Sequence, residues 1–252
     1  MNPLEDIPQI TSFRIQTLNG DQEIDIYSEQ GFQILAQLWT RSNWQHKQSY
    51  ELTWLGVPII QLPEDILMMQ ELIYKVRPDV IVETGTAHGG TAIFYASMLE
   101  LLGKGRVITI DVEIRKYNRL AIQAHPMARR ITLIEEDSIN VDLIKTLDHM
   151  IEPSDKVLVA LDSNHTYDHV SRELDLYASL VSRGSYIVVF DGVMEILADA
   201  PNGKSEWKVD NPAAAIRDFI DANPEWEADP YYNRLNVTYC ENGFIRRIED
   251  WE

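Results

Sequence analysis

The chain has 252 residues, 45% of them hydrophobic and 25% charged, a balance typical of one globular α/β domain with an extension. Its 40 acidic and 22 basic residues give a formal net charge of −18, which disfavours binding to nucleic-acid backbones and to anionic membrane surfaces. The single cysteine, Cys240, excludes an intrachain disulfide, and neither a signal peptide nor a membrane-spanning apolar run is recognisable. We therefore expect a cytoplasmic protein that binds neither nucleic acid nor membranes.

The first 60 residues show no alternation of strand and helix signals. They are rich in aromatic side chains, and the spacing within residues 31–39 predicts a short helix. We interpret residues 1–60 as an extension that covers an active site or contacts another subunit. Aromatic packing onto the main domain is the alternative. An extended segment with two prolines, residues 56–63, leads into the main domain, residues 61–252.

From residue 63 onwards, helix and strand signals alternate in units of roughly 20–30 residues, which predicts a mostly parallel sheet. The strands are continuous apolar runs, as expected when helices cover both faces of a sheet. The sequence therefore predicts an α/β, doubly wound fold that closes with an antiparallel C-terminal hairpin. Predicted strands cover residues 80–82, 106–111, 131–138, 156–162, 185–191, 235–239 and 243–248; predicted helices cover 63–76, 92–99, 115–125, 140–150, 167–180 and 212–220, and 195–212 is a predicted loop.

A glycine-rich loop lies between the first strand of this domain and the next predicted helix. Glycines allow the backbone to approach a ligand closely, and a strand, a glycine loop and a helix in this order are typical of nucleotide-type cofactor sites. The spacing differs from the Gly-x-Gly-x-x-Gly of dinucleotide sites. We predict that the loop and its flanks bind a cofactor through Glu83, Thr84, Gly85, His88, Gly89, Gly90 and Thr91.

Five successive predicted strands end on an acidic residue: Glu83, Asp111, Asp137, Asp162 and Asp191. The carboxyl ends of parallel strands share one sheet edge, and clustered like charges repel, so stability alone does not explain this pattern. An acidic edge suits a ligand with a sulfonium and an ammonium group. Asp111 follows the loop by about 20 residues, where an acid can bind ribose hydroxyls, and Asp137 with Ser138 can bind an adenine amino group. The pattern favours S-adenosylmethionine over NAD, with Asp162 completing the cofactor-binding set.

Two of these acids also suggest a metal site. Asp162 and Asp191, on neighbouring strand ends, offer the oxygen ligands that Mg²⁺ prefers. A cation there would acidify a substrate hydroxyl, and His165, one short turn after Asp162, is placed to accept its proton. We therefore predict His165, Asp162 and Asp191 as catalytic residues and Asp162 and Asp191 as metal ligands. The alternative for His165 is a helix-start residue that hydrogen-bonds nearby backbone.

Several separated motifs resemble those of the cephalosporin hydroxylase family, which includes rhamnosyl O-methyltransferases. They are residues 54–59, 78–85 with 89–91, 161–166 and 243–247. Despite the family name, the resemblance implies a Rossmann-like class I methyltransferase fold and a homo-oligomer. The implied activity is Mg²⁺-assisted, S-adenosylmethionine-dependent O-methylation of a small natural product or a sugar-bearing intermediate.

The chain departs from that family at one position. The resemblance implies a Glu-Asp pair at the end of the fifth strand, whereas this chain has Phe190-Asp191. The sequence leaves open whether another acid such as Glu195 replaces the missing ligand or whether His165 acts without a metal. Three other functions remain as alternatives: a metal-dependent oxygenase, a catalytically silent cofactor-binding scaffold and, disfavoured by the glycine spacing, an NAD oxidoreductase.

Overall fold

The computed structural model describes residues 10–18 and 20–248. The helices are α1 (Glu29–His46), α2 (Pro63–Val76), α3 (Gly90–Leu102), α4 (Lys116–Ala124), α5 (Val141–Met150), α6 (Tyr167–Tyr177), α7 (Met194–Leu197) and α8 (Pro212–Ala222). The strands are β1 (Ser12–Thr17), β2 (Gly20–Asp25), β3 (Thr53–Trp54), β4 (Val57–Pro58), β5 (Val80–Thr84), β6 (Arg106–Asp111), β7 (Ile131–Glu135), β8 (Val157–Leu161), β9 (Tyr186–Val189), β10 (Trp226–Ala228) and β11 (Phe244–Arg247). Within this part of the chain, every helix is too short or too polar to cross a membrane.

Seven strands form the main sheet in the order β10-β11-β9-β8-β5-β6-β7. The five strands from β5 to β9 pair in parallel, whereas β11 pairs antiparallel with both β9 and β10. The chain fills one side of β5 with β6 and β7 and then the other side with β8 and β9. The strand order therefore reverses between β5 and β8, which is where open α/β sheets bind ligands. The predicted α/β class is confirmed.

Successive side chains of the central strands enter two separate cores, as strand geometry requires. Ile81 of β5 packs with residues of α2 and α3, including Leu72 and Phe94, on one face of the sheet. Its neighbours Val80 and Val82 pack on the other face, against residues of α5, α6 and α8. This two-sided burial explains why the central strands are continuous apolar runs rather than alternating ones.

The C-terminal part corrects one prediction. The outer strand of the antiparallel pair is Trp226–Ala228 and not residues 235–239, which are irregular. The irregular segment is held instead by Asp65 at the start of α2, whose carboxylate accepts hydrogen bonds from Thr238 Oγ1 and from the Tyr239 backbone N–H at 2.8 Å. The Tyr239 N–H is thus bonded without a strand partner. Cys240 is fully buried.

The extension consists of the β1–β2 hairpin, α1 and the small β3–β4 hairpin; residues 1–9 and Asn19 lie outside the described residues. Helix α1 is twice as long as the predicted helix. Near its end, Trp44 packs edge-on against Trp207 and Tyr239, each with ring centroids 5.9 Å away. Trp44 therefore packs onto the main domain, whereas Tyr27, Phe32, Trp39 and Tyr50 are more than half exposed. The boundary near residue 60 stays a prediction. The predicted loop 195–212 begins with the end of the short helix α7.

Candidate active site

The glycine loop is wedged between the ends of two strands. Gly85 donates its backbone N–H to the Ile110 carbonyl at 2.8 Å, and its φ of 90° lies in the left-handed region that glycine tolerates. A Cβ at this position would lie 1.9 Å from the Asp162 carbonyl oxygen. The residue must therefore be glycine for the loop to pass this close to the end of β8.

Glu83 supports the loop from behind. It lies inside β5 rather than at its tip, is 1% exposed, and accepts a hydrogen bond from Thr109 Oγ1 at 2.5 Å. The Thr109 hydroxyl is in turn 2.7 Å from Thr86 Oγ1 in the loop. Burial raises the pKa of Glu83 to about 7, although hydrogen bonds from Thr109 and Thr91 oppose the shift. Glu83 and Thr84 line neither of the two cavities described next.

The first cavity, of about 620 Å³, lies beyond the ends of β6 and β7, and we call it the Asp111 cavity. Asp111 accepts the Ala87 N–H of the loop at 3.0 Å through Oδ2. Asp137 and Ser138 line the same cavity, so the structure brings these three predicted residues together. His169 Nε2 lies 3.0 Å from Ser138 Oγ. His169 also pairs with Glu173, which is fully buried, so we interpret these contacts as structural.

The second cavity, of about 290 Å³, lies over the ends of β8 and β9, and we call it the Asp191 cavity. It shares Gly85, Ser163 and His165 with the Asp111 cavity, so the two adjoin. The other predicted residues on its wall are His88, Gly89, Gly90, Thr91, Asp162 and Asp191.

Asp162, His165 and Asp191 converge in this cavity. One ligand-capable atom from each lies within 4.8 Å of those of the other two, and His165 Nε2 is 3.1 Å from Asp191 Oδ2. The φ of Asp191 is 58°, a left-handed conformation that aspartate adopts more readily than most residues. Desolvation holds the pKa of Asp162 well above its usual range, and the nearby Asp191, Glu83 and Glu173 carboxylates act in the same direction. Such mutual repulsion between carboxylates is relieved by a shared proton or a cation.

Phe190 directly follows β9, and Glu195 lies in α7. Phe190 is 4% exposed and belongs to the hydrophobic core. Glu195 binds Arg217 through both carboxylate oxygens, at 2.8 and 3.0 Å, and so has a partner outside the cluster. The structure therefore does not bring Glu195 to the cluster formed by Asp162, His165 and Asp191.

The residues of the Asp191 cavity that were not predicted as site residues include Trp44, Tyr50, Gln61 and Tyr239. Gln61 donates its Nε2 hydrogen to Asp162 Oδ2 at 2.9 Å. A polar residue between Ile60 and Leu62, in an otherwise apolar segment, was the available signal for Gln61. Trp44 and Tyr239 gave no comparable signal, because they reach the site only through packing of α1 and of the irregular segment 235–239.

Comparison with known proteins adds the decisive observation. The sequence profile of the Rhamnosyl O-methyltransferase/CmcI family matches residues 46–248. The chain belongs to this family. Membership confirms the resemblance drawn from the motifs and the predicted enzyme class, an O-methyltransferase.

Individual relatives agree with this assignment. The rhamnosyl O-methyltransferase of Mycobacterium tuberculosis is 28% identical over 202 residues, which are 77% of this chain and 78% of that protein. That of Mycobacterium leprae is 27% identical over 199 residues, covering 77% and 82% of the two chains. A structure of CmcI with Mg and SAM has a TM-score of 0.57 at 17% identity, covering 79% of this chain and 78% of that one. An apo structure of CmcI has a TM-score of 0.54 at 20% identity, covering 80% and 78%. These two structures share the fold of this family member.

Proposed function

We propose that this family member transfers a methyl group from S-adenosylmethionine to a hydroxyl of a small natural product or a sugar-bearing intermediate, assisted by a divalent cation. The observation that carries the proposal is the meeting of two adjoining cavities at the switch point of the sheet. One is lined by Asp111, Asp137 and Ser138, which we predict to bind ribose and adenine, and the other presents a cluster of two carboxylates and an imidazole. We further propose that the protein acts as a homo-oligomer in the cytoplasm and does not bind nucleic acid.

The Asp111 cavity suits the nucleoside part of the cofactor. Its volume of about 620 Å³ falls within the usual range for small-molecule sites. Asp111 would accept the ribose hydroxyls, while Asp137 and Ser138 would bind the adenine amino group. The glycine loop, with His88 and Thr91, would then border the methionine part together with Asp162 on the wall of the adjoining Asp191 cavity.

The donor set of the Asp191 cavity fits a divalent cation. Asp162 and Asp191 offer carboxylate oxygens, the ligands that hard cations such as Mg²⁺ prefer, and Asp162 carries the desolvation cost that a cation would offset. A bound cation would lower the pKa of a coordinated substrate hydroxyl. Asp162 and Asp191 would hold it, and the protein would contribute orientation of the acceptor and removal of its proton.

His165 is the proposed base. Its Nε2 faces Asp191 Oδ2 at 3.1 Å, so a proton on Nε2 is held by that carboxylate and Nδ1 remains to accept the proton of the acceptor hydroxyl. The Asp191 carboxylate then stabilises the imidazolium that forms. The pair thus keeps the imidazole in the tautomer that a base requires.

The acceptor would enter from the side of the extension. Trp44, Tyr50 and Tyr239 line the Asp191 cavity. Aromatic faces of this kind pack against flat or partly apolar ring compounds. We propose that this wall orients a ring-bearing acceptor with its hydroxyl towards His165.

The test is calorimetric titration of the protein with S-adenosylmethionine, with and without Mg²⁺, followed by assay of S-adenosylhomocysteine release with rhamnosyl glycosides and phenolic compounds as acceptors. We expect cofactor binding in both conditions and Mg²⁺-stimulated turnover with at least one acceptor. A protein that binds no cofactor would contradict the proposal. Binding without turnover on any acceptor would instead favour a silent scaffold.

A further inference from the structure

Gln61 is a buried amide at the wall of the Asp191 cavity. It is 4% exposed and donates one Nε2 hydrogen to Asp162 Oδ2 at 2.9 Å. Among the described residues, its carbonyl oxygen Oε1 has no hydrogen-bond partner. A buried acceptor without a donor is costly, so no protein group holds the amide in its present orientation through Oε1, and Oε1 is available to a ligand.

The amide can present either end to Asp162, because its oxygen and nitrogen have nearly the same size and geometry. Rotation of the amide by half a turn would place Oε1 about where Nε2 now lies, 2.9 Å from Asp162 Oδ2. Neighbouring oxygens around an octahedral Mg²⁺, with bonds of about 2.0–2.1 Å at right angles, are also about 2.9 Å apart. A distance of 2.9 Å between the Gln61 amide and Asp162 Oδ2 therefore suits a hydrogen bond in the cation-free protein. It also suits two neighbouring oxygen ligands of a bound Mg²⁺.

Phe190 makes this property relevant. Its side chain lies in the hydrophobic core, where the family pattern has an acid, and Glu195 is bound to Arg217. Asp162 and Asp191 alone carry two negative charges, which match a divalent cation without excess. A further ligand can thus be neutral, and a glutamine carbonyl is a known ligand of hard cations.

We propose that Gln61 Oε1 is a ligand of the divalent cation and takes the place of the acid that Phe190 removes. This inference rests on the proposed function, since that function supplies the cation. With Gln61 as the third protein ligand, His165 stays free to accept the substrate proton. When the cation binds, the side-chain amide rotates by half a turn. The hydrogen bond from Gln61 Nε2 to Asp162 is therefore present only in the cation-free protein.

The test is calorimetric titration of Mn²⁺ into the full chain at pH 8, checked by the loss of the free Mn²⁺ signal in electron paramagnetic resonance. We expect Gln61→Ala to weaken Mn²⁺ binding by about tenfold or more, the size of effect known for supporting residues at metal sites. Gln61→Glu retains an oxygen ligand and should bind Mn²⁺ at least as tightly as the unsubstituted chain. The matched control is Gln70→Ala, on the following helix and outside the Asp191 cavity, which should change nothing.

Gln61→Glu separates a ligand from a residue that only holds Asp162. A carboxylate cannot donate to Asp162, so equal losses in Gln61→Glu and Gln61→Ala would overturn the proposal, as would unchanged binding in a folded Gln61→Ala or no Mn²⁺ binding by the unsubstituted chain. S-adenosylmethionine titrated into the same proteins without metal tests the function separately. A chain that binds the cofactor but shows any of these Mn²⁺ results would leave the methyltransferase proposal standing.

Discussion

Asp191 has an unusual backbone conformation that positions its side chain in the candidate active site. Its left-handed φ of 58° is costly for most side chains, and the residue sits where the chain leaves β9. This turn brings its carboxylate to within 3.1 Å of His165 Nε2. The geometry makes His165 and Asp191 one functional unit, so substitutions of His165 should affect turnover rather than cofactor binding.

His165→Ala tests that unit. We expect kcat to fall by about 10²–10⁴-fold, the usual contribution of a positioned general base, while affinity for S-adenosylmethionine changes little. Initial rates and calorimetry on the same preparation provide the two measurements. The control is His149→Ala, which removes an exposed imidazole from α5. A normal turnover number in His165→Ala would remove this residue from the mechanism.

Asp111→Ala tests the ribose assignment. Loss of the acceptor for the ribose hydroxyls should weaken S-adenosylmethionine binding by about tenfold or more, since hydrogen bonds to charged groups contribute about 1.5–3 kcal/mol each. Asp111→Asn, which can still accept the Ala87 N–H, should show a smaller loss. Asp175→Ala, an exposed acid on α6, serves as control. Unchanged affinity in Asp111→Ala would refute the assignment.

At the scale of elements, the unit formed by β5, the glycine loop and α3 is the best-predicted part of the molecule. A continuous apolar run and a cluster of glycines are local signals, so the strand, the loop and the helix are all readable from sequence. Glu83 was misplaced at a strand tip because β5 extends to Thr84. The outer strand β10 was missed because its three residues carry little pattern, whereas residues 235–239 resemble a strand and are held by Asp65 instead.

Gly85→Ala tests the wedged loop. The added Cβ would overlap the Asp162 carbonyl, and backbone strain at positive φ adds to the cost, so we expect a loss of several kcal/mol in unfolding free energy and weaker cofactor binding. Gly103→Ala is a matched control, because Gly103 also has a positive φ of 73° but open space around its Cβ position. It should lose only about 1–2 kcal/mol, the cost of the left-handed conformation for a residue with a Cβ. Similar losses in both variants, measured by urea unfolding, would mean that backbone strain alone governs Gly85.

For the molecule as a whole, the sequence predicts the acidic edge of the sheet. It does not predict which acidic residues line the cavities and which are buried away from them. Parallel strands must end together, so four of the five predicted acids line the two cavities. The fifth, Glu83, and the helix residue Asp65 are instead buried carboxyl groups, each with its pKa raised to about 7, mainly by desolvation. Gln61, Trp44 and Tyr239 could not be predicted, because segments far apart in sequence meet there only after folding.

Burial of these acids should make stability depend on pH. The ordinary pKa of Glu83 is 4.5 and burial raises it to about 7, so the folded state binds the proton more tightly than the unfolded state. Its contribution is fully present below pH 4.5 and is lost as the pH rises through 7. Glu83→Gln removes this titration. The unfolding free energy of the variant, relative to that of the unsubstituted chain, should therefore rise by up to about 3 kcal/mol between pH 4.5 and 8.

Urea unfolding of both proteins at several pH values measures this difference. Asp65 titrates in the same way in both, so its effect cancels in the comparison. Asp175→Asn, which removes an exposed carboxyl group from α6, is a suitable control and should show no such pH-dependent gain. A constant difference between Glu83→Gln and the unsubstituted chain across the range would show that Glu83 is ionised in the folded protein.

The position of Trp44 has a consequence for how such enzymes diversify. The family match begins at residue 46, so this part of the cavity wall comes from a stretch that family members need not share. The residues proposed to hold the cofactor all lie within the matched region. We therefore expect replacement of the leading segment to alter the choice of acceptor while cofactor binding is kept, provided that Trp44 still packs against Trp207 and Tyr239.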